Sequence, residues 1–165
     1  MILIAIGSNL PHPELGSPRA VCEAALQEVQ ARGITIARRS PWYRSAPVPP
    51  SGQPWFVNGV AEVAPAAGLG PEELLRALHE VEAALGRTRN RRNEARIVDL
   101  DLIDFEGQVS AAEATPQLPH PRLQERAFVL LPLRDLNPAW RHPVTGETID
   151  QLIEALPQGQ EIRQL

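Results

Sequence analysis

Apolar residues recur along this chain with two different periods, and the order in which those periods alternate leaves few folds open. The run Ile2-Leu3-Ile4-Ala5-Ile6, closed by Gly7-Ser8-Asn9, has the pattern of a buried strand and a turn. Ser17-Pro18 then supplies an N-cap and a first-turn proline. Val21, Cys22, Ala25, Leu26 and Val29 follow as a helical stripe that stops at Gly33. Ile34 and Ile36 begin a second strand that runs into Ser40-Pro41-Trp42-Tyr43, and a proline-rich loop spans 46–54. A third strand covers about Phe56 to Ala64, with Val57, Gly59, Ala61 and Val63 on one face. Pro71 starts a second helix, with Leu74, Leu78, Val81 and Leu85 in a stripe ended by Gly86. A fourth strand runs from about Arg96 to Phe105, and shorter helices are expected near 125–136 and 148–156.

That order, βαββαβ, predicts an α+β fold of ferredoxin-like type with extra C-terminal elements. Hairpin-linked strands in its middle imply an antiparallel or mixed sheet with helices covering one face. With 165 residues, one domain spanning 1–165 is expected. No apolar run is long enough to span a bilayer, and the first residues lack a positively charged leader, so no membrane role and a cytoplasmic location are expected. Nothing in the pattern calls for more than a monomer.

Charge narrows the function. A net charge of −4 argues against a general nucleic-acid binder, which needs a basic face. Cys22, the only cysteine, excludes internal disulfides and cysteine-rich zinc sites, and reads as a small buried residue. All 16 basic residues are arginine. A lysine-free chain has no Walker A lysine and no Schiff base, so any phosphate must be held by arginine, histidine, backbone N–H groups or metal. Arg87, Arg89, Arg91, Arg92 and Arg96 crowd one stretch directly before the fourth strand.

Within that strand, Ile97-Val98-Asp99-Leu100-Asp101-Leu102-Ile103 alternates acid and apolar residues. Asp99 and Asp101 therefore share one face, about 7 Å apart, while Val98, Leu100 and Leu102 point into the core. The pair is tolerable if a hard cation sits between the carboxylates, and magnesium divides itself between carboxylates and substrate phosphates. The alternative is a solvated edge strand whose charges deter pairing. The arginines beside it, suited to bidentate phosphate contact, favour a site for a nucleoside triphosphate. Another magnesium-dependent nucleotide transferase, and a non-catalytic binding module on the same fold, are the competing readings. Few aromatic residues and a negative net charge disfavour the module.

Residues 92–103, with Arg96-Ile97-Val98-Asp99-Leu100-Asp101-Leu102-Ile103 at their core, resemble the signature of the 6-hydroxymethyl-7,8-dihydropterin pyrophosphokinase family of folate synthesis. Further likenesses fall in order along the chain: Ala5-Ile6-Gly7-Ser8-Asn9-Leu10, Tyr43-Arg44-Ser45-Ala46-Pro47, Phe56-Val57-Asn58, Gly86-Arg87-Thr88-Arg89, and Pro119-His120-Pro121 with Arg126-Ala127-Phe128-Val129-Leu130. The resemblance implies transfer of pyrophosphate from ATP to the hydroxymethyl group of a dihydropterin. Two magnesium ions would be held by Asp99 and Asp101, which with Arg87 and Arg92 would make the catalytic set. His79, Glu82, Arg87, Arg89, Arg92, Arg96, Leu102, His120 and Arg126 would bind ATP. Ser45, Ala46, Val48, Phe56, Asn58 and Phe128 would bind the pterin, Asn58 at its edge and Phe128 against its ring. Asn93-Glu94-Ala95 departs from the Trp-Gly-Pro or Asn-Ala-Pro that the family commonly carries before the signature arginine, which implies one stacking contact fewer.

Overall fold

The computed structural model describes residues 1–86 and 97–165; Arg87, Arg89, Arg91, Arg92, Arg96 and Asn93-Glu94-Ala95 lie outside the described residues. The elements run β1 (Ile2–Ser8), α1 (Pro18–Ala31), β2 (Thr35–Arg39), β3 (Tyr43–Ser45), β4 (Phe56–Ala64), α2 (Pro71–Ala84), β5 (Asp99–Phe105), a 3₁₀ turn (Leu123–Glu125), α3 (Ala127–Leu136), α4 (Ile149–Glu154) and β6 (Ile162–Gln164). Helix starts are chemically marked. The Ser17 Oγ accepts the Ala20 N–H at 3.3 Å ahead of Pro18. Thr148 and Gln151 exchange side-chain-to-backbone bonds of 2.9 and 3.1 Å at the head of α4.

The strands form one antiparallel sheet in the order β5-β1-β4-β3-β6, with β2 also paired to β4. The expected second strand is thus two. Pro41 has no N–H to give, and between β2 and β3 the backbone N–H of Ser40 bonds the Val60 carbonyl at 2.9 Å while its hydroxyl accepts the Val60 N–H at 3.0 Å. The chain then lays Trp42 against Gly59, where an added Cβ would come within 2.7 Å of the indole; only glycine allows that approach. Strand β5 begins at Asp99.

Alternation sends each strand's side chains to two faces, and both faces carry helices, which corrects the expectation of one covered face. Ile2, Ile4, Ile6, Ala61, Val63, Leu100 and Leu102 pack under α1 and α2. Leu3, Val60 and Ile103 pack under α3 and α4, with Leu130, Leu133 and Ile149 fully buried between. The two added C-terminal helices are responsible: their apolar stripes need a surface, and the second face of the sheet supplies it. No helix among the described residues is long and apolar enough to cross a membrane.

Candidate active site

On the second face, α3 and α4 cover only part of the sheet. Past Leu3 the central strand β1 narrows to Ala5, packed at the margin of the core under those helices, and then to Gly7. Register places Ala5 between Asp101 and Val60, and Gly7 between Asp99 and Asn58. Two small residues thus separate the acids of β5 from the amide of β4 and make a low floor. A Cβ on Gly7 would stand 3.0 Å from the Asn58 Oδ1, so glycine gives that side chain its room.

A cavity of about 390 Å³ opens above this floor. Asp99, Asp101 and Asn58 rise from its base; Ser45, Ala46, Val48 and Phe56 form one side; Arg126 and Phe128 form another. Ser45 and Asn58 are both buried, and the Asn58 Nδ2 donates to the Ser45 Oγ at 2.6 Å, which fixes the amide. The loop carrying Ala46 and Val48 is tied down by Asn9, whose Nδ2 donates to the Gln53 Oε1 and the Pro54 carbonyl at 3.1 and 3.2 Å. The Ser8 hydroxyl donates to the Ile97 carbonyl and so anchors the entry to β5.

Both acids are half-buried. The Arg126 Nη1 lies 3.4 Å from the Asp101 Oδ2, and its guanidinium stands 5.5 Å from the centre of the Phe128 ring. Among the described residues no cluster of three or more His, Cys, Asp or Glu could hold a metal ion. Two carboxylates in an open cavity nonetheless fit magnesium, which keeps several positions for water and phosphate oxygen.

The other expected residues are placed differently. Glu82 is 1% exposed and accepts the Leu100 N–H at 2.8 Å, so it grips the peptide between the two acids from the opposite face. Leu102 belongs to the core under α1 and α2 and does not line the cavity. His79 is exposed on α2. His120 is half-buried, donates its backbone N–H to the Ile103 carbonyl at 2.9 Å, and lines a second hollow of about 350 Å³ with His142. Burial, then the Arg126 charge, lowers its pKa from 6.5 to about 4. The imidazole is therefore neutral at pH 7. With Nδ1 accepting the Arg122 N–H at 3.2 Å, Nε2 is left to carry the proton.

Pro157, Gln158, Gly159 and Gln160 also line the main cavity, as do Arg122 and Glu125. None was singled out from sequence, because a tail segment carries no periodicity that points at a distant strand.

Residues 3–138 match the family model of 7,8-dihydro-6-hydroxymethylpterin-pyrophosphokinase, HPPK. The chain belongs to this family. It is 40% identical over 157 residues to a 2-amino-4-hydroxy-6-hydroxymethyldihydropteridine pyrophosphokinase of Pseudomonas aeruginosa, covering 94% of this chain and 91% of that one. A protein of the same name from Synechocystis is 39% identical over 152 residues, covering 92% and 74%. Among solved structures, Plasmodium falciparum HPPK-DHPS with pteroate shares the fold at a TM-score of 0.68 and 12% identity. That likeness covers 93% of this chain but 42% of the Plasmodium chain. Every expected HPPK site residue lies inside the matched stretch, whereas the cavity wall at 157–160 lies beyond it.

Proposed function

We propose that this HPPK family member transfers the pyrophosphoryl group of ATP to the hydroxymethyl oxygen of 6-hydroxymethyl-7,8-dihydropterin, releasing AMP, at the cavity over Ala5 and Gly7. The observation that carries the reading is the meeting, in one cavity, of two same-face carboxylates with an aromatic ring and a buried amide. Polyphosphate chemistry needs the first pair, and a flat heterocycle with a polar edge needs the second.

Asp99 and Asp101 would hold two magnesium ions, which when bound neutralise charge on the triphosphate. Arg126 adds a guanidinium beside Asp101, and His120 serves a phosphate as a neutral N–H donor rather than as a charge. Asn58, set by Ser45, reads the pterin edge; Phe128 and Phe56 pack its ring; Ala46 and Val48 close its side. Arg87, Arg89, Arg92 and Arg96 are assigned to the phosphates and His79 to the nucleotide side, while the buried Glu82 and Leu102 serve that side only by holding β5 in place. The reaction forms a bond from the hydroxymethyl oxygen to the β-phosphorus as the bond to the AMP oxygen breaks, and the hydroxyl proton departs. Positioning and charge neutralisation supply most of the acceleration. We also read the β5-β1-β4-β2 order as a ferredoxin-like core in a single monomeric domain; its support is the antiparallel pairing of β1 with both β4 and β5.

The deciding experiment mixes protein, magnesium, ATP and the dihydropterin and follows phosphorus NMR. AMP and a pterin pyrophosphate should appear in equal amounts. ADP as the nucleotide product, or AMP without pterin, would defeat the reading.

A further inference from the structure

Helix α3 begins without a side-chain cap of its own. Its N-cap residue is Arg126, whose long side chain turns away to Asp101, and no side chain of the first turn satisfies the leading amides. The vacancy is filled from far down the chain. Gln160 Oε1 accepts the Ala127 N–H at 2.9 Å, and the same side chain's Nε2 donates to the Glu125 carbonyl at 2.8 Å. The two ends of one amide thus hold the peptide groups on either side of Arg126.

The route to that position is built. Gly159 has φ +90°, a left-handed conformation that favours glycine, and reverses the chain beside the cavity. Past Gln160, the Ala46 N–H donates to the Glu161 carbonyl at 3.0 Å, β6 pairs with β3, and Arg163 lies 5.4 Å from the centre of the Trp55 ring. The segment thereby spans from the head of α3 to the loop carrying Ala46 and Val48.

We propose that Gln160 is a positioning residue for pyrophosphoryl transfer, acting through Arg126: by fixing the peptides at Glu125 and Ala127 it sets the guanidinium against Asp101 and over Phe128. The inference rests on the proposed reaction, because it assigns Gln160 a part in it. A side chain with no direct contact to the acids still matters, since small misplacements of a charged group cost rate steeply.

Gln160→Met keeps the length and loses both hydrogen bonds. In the phosphorus assay kcat should fall about ten- to a hundred-fold, the scale of an ångström-sized misplacement. In an Arg126→Ala background the same change should lower kcat no further, since the two residues act as one unit. Arg163→Ala, which loosens the same segment at Trp55, should leave kcat unaltered. Gln160→Glu keeps the acceptor for Ala127 and loses the donor to Glu125, should fall between, and carries the cycle if the methionine variant does not fold. Equal fractional losses in both backgrounds, wild-type kcat in Gln160→Met, or an Arg163→Ala loss as large as that of Gln160→Met would overturn the assignment. A wild-type protein that makes no AMP would defeat the proposed reaction and this inference with it; an active wild type beside an unimpaired Gln160→Met defeats the inference alone.

Discussion

The two faces of the sheet use the same strands for opposite purposes. Under α1 and α2, β1 shows Ile2, Ile4 and Ile6, and the space is filled by large side chains. On the other face the same strand shows Leu3, Ala5 and Gly7, shrinking step by step until the surface opens into the cavity. β5 repeats the division, with Leu100 and Leu102 inward and Asp99 and Asp101 toward the cavity. Strand alternation therefore separates stability from chemistry at a spacing of one residue. Away from the Glu82 contact, substitutions on the first face should change folding and leave turnover alone, and substitutions at the cavity end of the second should do the reverse.

The strongest test of that division is Asp99→Asn or Asp101→Asn. Turnover should fall about a hundred- to a thousand-fold, as for loss of a preorganised electrostatic partner. The thermal midpoint should hold or rise, because a like-charge pair is relieved. A large drop in the midpoint would mean that the acids serve the fold. On the opposite face, Leu26→Ala in α1 should cost about 2–5 kcal/mol in denaturant unfolding, yet leave kcat per folded molecule intact. A change in kcat there would show that the faces are coupled. Asn58→Ala tests the cavity more gently. Calorimetry should find pterin binding weakened about ten-fold, the loss of a hydrogen bond worth about 1.4 kcal/mol, with ATP affinity unchanged.

A further effect concerns pH and touches stability rather than turnover. Burial, then the Arg126 charge, lowers the folded His120 pKa to about 4 from the 6.5 of the unfolded chain, with Asp99 opposing the shift and Arg122 adding to it. The unfolded chain then takes the proton first, so stability is lost as pH falls from about 6.5 toward 4. His142, also lowered by burial, acts in the same direction. His120→Asn should flatten this acid limb in melts between pH 7 and 5; an unchanged slope would place the histidine's folded pKa near its usual value.

Much of the frame could be read in advance because its signals are local. β4 occupies Phe56–Ala64 as its alternation requires, and α1 and α2 start at the prolines that announce them. The same alternation in 97–103 put Asp99 and Asp101 on one face. What escaped notice depends on distant partners. β6 has only three residues, too few for a period to register, and exists because β3 offers it an edge. The break at Ser40-Pro41 shows only once Val60 is seen filling it, and the second helical layer only once α3 has a sheet to lie on. Gln160 is one glutamine among several in an unpatterned tail; its meaning comes from the amides of a helix head 33 residues earlier.

The grip of Glu82 on the Leu100 peptide has a mechanical consequence. α2 and β5 are joined like a lever and its fulcrum, with the load point midway between Asp99 and Asp101. Any slip of the helix along its axis would be passed to the gap between the carboxylates, so the spacing of the two acids is inherited from the packing of a helix on the far side of the sheet.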